Sequence, residues 1–266
     1  MNFSYTQVSQ FLACPRRYCY PNPDGWREKD TRAAMLFGRA FEKALAAFFL
    51  REDASETLFN EWARYRDLEL QYAANDNWDR MLLGGMQLLD RFAQEDRVRI
   101  LQPQTNLQVK ILRPLPGDNT FISYVDAIGE LDNELCVIDW KTSTSCYPAE
   151  PAGLGALDPQ LVCYSWMTGI ERVALVVFVR KRMPEIQYIK ATISDQQRQE
   201  YGRLVEKTVR QIDAAQFLQQ SGIRFPQNPC LSCAYLGLCL DRREMVDFRL
   251  TRQQGAALDW LDELAF

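Results

Sequence analysis

The chain has no histidine among its 266 residues. That absence excludes serine–histidine and cysteine–histidine catalysis, HExxH zinc hydrolysis and zinc fingers built on two cysteines and two histidines. Acid–base or metal chemistry must then use carboxylates, lysine, tyrosine or thiolates. Long apolar runs are also missing. The longest, such as Val173–Val179, fall far short of the ~18 residues a membrane span needs. The opening stretch, MNFSYTQVSQFLACPRR, breaks its hydrophobic patch with polar residues and has no basic start. The expectation is therefore no secretory signal, no membrane contact and a cytoplasmic location. No G-x-x-x-x-G-K-[ST] loop occurs, which excludes a Walker-type ATPase. With 13 glycines and 12 prolines there is no collagenous or low-complexity bias. The 31 basic against 35 acidic residues exclude an overall basic coat but leave room for a local basic groove.

Cysteine is what the chain does have. Eight occur, at positions 14, 19, 136, 146, 163, 230, 233 and 239. In a reducing compartment clustered thiols are more often metal ligands than disulfides, and three of these fall between Cys230 and Cys239.

The first third reads as helical. Ser4 caps a short helix to Cys14, a loop follows over Pro15–Asp30, and Thr31–Leu50 carries an apolar stripe through Met35, Phe37, Ala40, Phe41, Leu45 and Phe48. Further helical patterns cover Ala54–Gln71 and Asn75–Glu95. Near Thr105 the character changes to short runs rich in Val, Ile and Leu: Leu107–Leu112, Phe121–Gly129 and Leu135–Lys141. A helix at Gln160–Met167, strands at Val173–Val179 and Ile186–Ile193, a long helix over Asp195–Gln220 and a last helix near Thr251–Leu264 complete the pattern. The expected fold class is α/β, a mixed central sheet of about five strands flanked by helices. Residues 1–266 form one domain in this reading, with 51–99 as a possible helical insertion and 222–245 as a cysteine-bearing segment.

The stretch SYVDAIGELDNELCVIDWKTS holds the most chemistry. Two apolar strands joined by a tight turn carry Asp126 on the first and Asp139 and Lys141 on the second. Period-two alternation puts Asp139 and Lys141 on one face and Trp140 on the other, and cross-hairpin pairing brings Asp126 beside Asp139. Two adjacent carboxylates repel unless a cation lies between them, and an oxygen-rich site suits Mg²⁺ or Mn²⁺. A lysine two residues on can contact both a water and a phosphate. A lone D-x-K is common on exposed hairpins, but here it sits in the hydrophobic run CVIDWKTS, where an unpaired charge is costly.

In chain order the sequence resembles the PD-(D/E)XK nucleases of the RecB-like branch. SYTQVSQFLACPRRY is similar to their N-terminal segment, and GRAFEKAL to the helix motif that usually reads G-x-x-x-H. YVDAI and VIDWKTS are similar to the two acidic motifs, and QLVCY to Q-x-x-x-Y. The resemblance implies a restriction-endonuclease-like core and phosphodiester hydrolysis in DNA. Asp126 and Asp139, the backbone carbonyl of Trp140, and Glu42 in place of the usual histidine would hold the metal. Lys141 would position the attacking water, and Gln160 and Tyr164 would contact DNA or orient the site.

Cys230, Cys233 and Cys239, spaced C-x₂-C-x₅-C, need a fourth thiolate to close an all-sulfur shell. The resemblance supplies Cys14, with Cys19 as competitor, and implies a 4Fe–4S cluster tying the N- and C-terminal segments together. Spacing alone does not separate this from structural zinc. Cys136 and Cys163 read as packing residues. Basic residues at Arg16–Arg17, Arg27–Lys29–Arg32 and Arg180–Lys181–Arg182, and aromatics Phe3, Tyr5, Tyr18, Tyr20 and Trp26, are candidate nucleic-acid contacts. Three functions follow: an exonuclease in DNA repair or CRISPR spacer acquisition, with DNA ends or single strands as substrate and a helicase or adaptation protein as partner; a non-catalytic DNA-end-binding subunit; or a zinc-stapled interaction module.

Overall fold

The computed structural model describes residues 1–101, 107–148, 150, 153–219 and 229–252. In chain order its elements begin with β1 (Asn2–Phe3), α1 (Tyr5–Ala13), α2 (Pro15–Cys19), β2 (Trp26–Glu28), β3 (Thr31–Arg32), α3 (Ala33–Phe49), α4 (Ala54–Ala63) and β4 (Leu70–Gln71). Next come α5 (Trp78–Glu95), β5 (Val98–Ile100), β6 (Val109–Leu115), β7 (Asn119–Val125), β8 (Ala127–Leu131), β9 (Glu134–Ser143) and α6 (Pro159–Thr168). They end with β10 (Arg172–Val179), β11 (Glu185–Thr192), α7 (Asp195–Asp213), α8 (Leu236–Cys239), α9 (Arg243–Arg249) and β12 (Leu250–Arg252). Two compact units are formed, one from Met1–Thr31, Pro114–Phe121 and Arg203–Phe266, the other from Arg32–Arg113 and Ile122–Gly202.

The second unit is built on a five-stranded sheet of order β11-β10-β9-β8-β5. β9 and β10 are parallel, and β11, β8 and β5 join antiparallel, so the sheet is mixed as expected. The membership differs from the sequence reading. Val98–Ile100 supplies the edge strand, whereas the 107–115 region pairs in a separate three-stranded sheet, β1-β7-β6. The hairpin β8–β9 turns on Asp132 and Asn133, both left-handed (φ 53° and 64°), the two-residue turn that LDNE announces. One sheet face is covered by α3, α4 and α5. Phe37, Phe41 and Leu45 from α3, Leu58 and Trp62 from α4, and Leu88 and Phe92 from α5 are buried in one core with Ile138, Val176 and Phe178. Each such side chain contributes about 1.5–3 kcal/mol on burial. The 51–99 stretch thus shares the core of the sheet.

In the first unit, Ser4 caps α1 as the sequence pattern predicts, and the Gln7 side chain reciprocates on the Ser4 N–H. Pro15–Asp30 is not the plain loop expected: Pro15 opens α2, and Trp26–Glu28 pairs with Leu250–Arg252. The helix read to Gln220 ends at Asp213. Of the expected last helix, Thr251 and Arg252 lie in β12, and the remainder lies outside the described residues. No helix among the described residues is long and apolar enough to cross a membrane.

Candidate active site

The run expected as one strand, Phe121–Gly129, is two strands broken at Asp126. At the break the side-chain carboxylate turns onto the backbone of β9. Oδ2 accepts the backbone N–H of Trp140 at 3.1 Å, and Oδ1 accepts the Tyr164 hydroxyl at 3.4 Å. Tyr164 in turn accepts Gln160 Nε2 at 2.9 Å. Asp158, capping α6 through bonds to the Gln160 and Leu161 N–H groups, fixes the helix that presents both side chains.

Asp139 and Lys141 share a face of β9, as alternation requires, and the Trp140 ring packs on the other with Phe49, Phe92 and Phe178. Asp139 is fully buried and lies 2.6 Å from Lys141 Nζ, off hydrogen-bond alignment, so that neither carboxylate oxygen has a hydrogen-bond partner. Burial, reinforced by the Asp126 charge, pushes Asp139 up to about 8. Burial and the Glu42 charge push Asp126 up to about 6. Lys141 loses by burial but is held above the usual lysine range by Asp139 and Asp126. Burial lifts the Tyr164 phenol well above its ordinary value.

Glu42, on α3, joins this cluster. Its pKa is pushed up to about 7, by burial first and with the Asp139 charge adding to it, and its Oε1 is buried without a hydrogen-bond partner. Gln108 hydrogen-bonds the Glu42 side chain, a contact no sequence signal marked. Gly38, four residues earlier, is not forced by close approach: an added Cβ would meet only Thr142 Oγ1, at 3.9 Å.

Glu42, Asp126, Asp139, Lys141, Gln160 and Tyr164 are thus brought together. Among the described residues no group of three or more His, Cys, Asp or Glu side chains is already gathered as a metal shell. The donor set nevertheless suits a hard divalent cation: three carboxylates held above the normal carboxylate range by burial first and by one another's charge, with Glu42 Oε1 and both Asp139 oxygens lacking an aligned hydrogen bond.

In the first unit Cys14, Cys230, Cys233 and Cys239 line one cavity of about 90 Å³, with Arg17 and Tyr20. Cys19 does not. It points at Asp24 Oδ2, 3.6 Å away, and burial then Asp24 push it up to about 11. The Tyr20 hydroxyl lies 3.2 Å from Cys239 Sγ. Cys136 and Cys163 are buried, as the packing reading expects. The four thiols share this cavity, but among the described residues they are not gathered as a metal shell.

The candidate nucleic-acid contacts fare less well. Arg180 is not a surface cation: it pairs with Asp76 at 3.0 Å, almost fully buried, with its guanidinium 5.0 Å above the Phe37 ring. Lys181 pairs with Glu185. Phe3 and Tyr18 are buried and so are core rather than stacking platforms, whereas Tyr20 and Trp26 are half-buried and pack against Tyr235, Val246 and Leu250.

No curated protein matches the sequence. Among solved structures, SSO0001 shares 16% identity over 91% of this chain and 86% of its own, at a TM-score of 0.40, too low to bear on the fold. A candidate exonuclease from Eubacterium rectale shares 14% identity, with 98% of this chain and 91% of that one covered at a TM-score of 0.51, a likeness of fold. The family model for the PD-(D/E)XK nuclease superfamily matches residues 2–240, and the chain belongs to that superfamily.

Proposed function

We propose that this protein is a metal-dependent DNA nuclease of the RecB-like branch that hydrolyses phosphodiester bonds from DNA ends. The observation that carries this reading is the convergence of Asp126, Asp139 and Lys141 with Glu42, Gln160 and Tyr164, with the Asp139 carboxylate fully buried against the Lys141 ammonium. Asp126, Asp139, Glu42 and the Trp140 carbonyl are the residues that would hold Mg²⁺ or Mn²⁺. When bound, such an ion acidifies water and offsets charge on the scissile phosphate. Lys141 orients the attacking water and donates to the phosphate. Gln160, through Tyr164, fixes the Asp126 carboxylate. No covalent intermediate is required.

A 4Fe–4S cluster on Cys14, Cys230, Cys233 and Cys239 is the second part of the proposal, supported by their shared cavity. It acts as a structural staple, closing a long chain loop without redox duty. DNA ends, single-stranded or partly so, are the proposed substrate. The proposed setting is DNA repair, recombination or CRISPR spacer acquisition, with a separate helicase or adaptation protein as partner. The likeness to a candidate exonuclease favours action at ends.

The test is cleavage of end-labelled single-stranded and duplex DNA with Mg²⁺ or Mn²⁺, beside a visible spectrum of anaerobically purified protein. Metal-dependent cutting lost in Asp139→Ala supports the reading. End binding without cutting makes the chain a non-catalytic subunit, and one stoichiometric zinc in colourless protein removes the cluster.

A further inference from the structure

The residues after β9 are held with more side-chain bonding than a connecting loop needs. Ser143 Oγ donates to the Ser145 carbonyl at 2.7 Å and accepts the Ser145 N–H at 3.2 Å. Two residues on, one side chain takes both backbone groups of Tyr147. The Tyr147 N–H donates to Gln187 Oε1 at 2.7 Å, and Gln187 Nε2 donates to the Tyr147 carbonyl at 3.4 Å. A primary amide that satisfies both groups of one residue imitates a strand rung. It fixes the Cα–Cβ direction of Tyr147.

The register says where that direction is fixed. Lys141 on β9 pairs with Val177 on β10, and Val177 pairs with Gln187 on β11. Residues in register on adjacent strands share a sheet face, so Gln187 lies in the same row as Lys141, about 10 Å away at the usual strand spacing. Val177 between them is fully buried and carries nothing polar. A half-buried tyrosine tethered at Gln187 therefore stands on the Lys141 side of the sheet, with a side chain long enough to cross that row. Its phenol lies within electrostatic range of the Lys141 ammonium.

We propose that Tyr147 is a positioning residue of this site, clamped by Gln187 so that its phenol oxygen accepts a hydrogen bond from Lys141 Nζ and keeps that lysine aimed at Asp139 and the attacking water. The proposal rests on the nuclease reading for its consequence, but its geometry does not. Neither Tyr147 nor Gln187 touches the reacting atoms. Both act through Lys141.

Two measurements test it on the full-length protein. In steady-state cleavage of end-labelled single-stranded DNA with Mn²⁺, Tyr147→Phe should lower kcat by about tenfold and leave KM unchanged, the loss expected of one charged hydrogen bond. Gln187→Ala should lower kcat less, and the double variant should match Tyr147→Phe alone, because both remove one interaction. A kcat within twofold of the parent, a rise in KM alone, or additive losses would overturn the proposal. The second measurement needs no activity. Acylation of individual lysines, read by mass spectrometry at fixed pH, should label Lys141 several-fold faster in Tyr147→Phe and Gln187→Ala, with the other lysines unchanged. Equal labelling overturns the proposal. Faster labelling in the two variants, with a parent that does not cut, would sink the nuclease reading and leave the clamp standing.

Discussion

The carboxylate of Asp126 takes the backbone N–H of Trp140 at 3.1 Å, where the β8–β9 ladder has just stopped. The last paired rung is Ala127 with Ile138, so Asp126 substitutes a side-chain oxygen for the missing strand carbonyl. One residue therefore both closes the hairpin mouth and supplies a carboxylate to the site. The two roles separate by substitution. Asp126→Asn keeps an amide oxygen for the Trp140 N–H and should fold with a melting temperature near the parent's, while cleavage falls by at least ~100-fold. Asp126→Ala should lose cleavage and also several degrees of melting temperature. Paired cleavage assays and thermal melts check both. Full activity in Asp126→Asn would place the chemistry elsewhere.

The metal-free protein should lose stability as pH rises. Asp126, Glu42 and Asp139 are held at about 6, 7 and 8, above their unfolded values near 4. Between about pH 4 and 8 the folded state thus binds more protons than the unfolded chain, and unfolding free energy falls with pH. Thermal melts in EDTA should show a decline from pH 5 to 8 that Asp139→Asn flattens. Adding Mn²⁺ should raise the melting temperature more at pH 8 than at pH 5, because the cation replaces the protons. A flat EDTA profile in the parent would mean the three carboxylates are solvated.

Much of this site was legible because its residues obey short-range rules. Alternation alone put Asp139 and Lys141 on one face, and a charge inside CVIDWKTS had to be paired or functional. Gln160 and Tyr164 lie one helical turn apart and meet as that spacing dictates. What failed needed partners far along the chain. Arg180 read as a surface cation because Asp76, which buries it, lies 104 residues away. Gln108 carries no local mark, and only its contact with Glu42 makes it notable. β5 escaped notice because it is three residues long with an arginine in the middle. The central sheet has the expected number of strands, though from a different set.

That short edge strand has a sharp requirement. Gly129 on β8 faces Ile100 of β5, and a Cβ there would stand 2.2 Å from the Arg99 carbonyl oxygen and 3.1 Å from Ile100 Cδ1. The obstacle is backbone, so β5 must shift or detach. Gly129→Ala should cost about 1–3 kcal/mol and lower the melting temperature by several degrees. Asp139 lies on β9, with β8 between it and β5, so cleavage below the new melting point should be nearly unchanged. A parent-like melt would show that the edge strand yields freely.

The cysteine cavity distinguishes two neighbours in sequence. Cys14 lines it, whereas Cys19 turns to Asp24. On the proposed 4Fe–4S reading, Cys14→Ser, like Cys233→Ser, should bleach the brown colour and lower bound iron. Cys19→Ser should keep both. Absorption near 400 nm and iron analysis on anaerobically purified protein decide the matter. Loss of colour in Cys19→Ser with retention in Cys14→Ser would reverse the assignment.

The resemblance to the nuclease motifs sets Glu42 against their usual histidine, and the environment of Glu42 says what a carboxylate does there. Its Oε1 is buried without a hydrogen-bond partner, and burial together with the Asp139 charge pushes it up to about 7. An acid in that state disfavours the metal-free fold at pH 8 and favours a cation that would relieve it. Glu42→Gln keeps the shape and a partner for Gln108 but removes the charge. Its melting temperature in EDTA at pH 8 should exceed the parent's, and its gain on adding Mn²⁺ should shrink. Cleavage should fall, since one oxygen donor has lost its charge. Glu42→His introduces an imidazole and should retain more activity than Glu42→Ala, with preference moved toward Mn²⁺ over Mg²⁺ because nitrogen ligands suit transition metals. Melts and cleavage rates across the four proteins give the answer. Identical metal-induced shifts in all of them would leave the cation on Asp126 and Asp139 alone and make Glu42 a bystander.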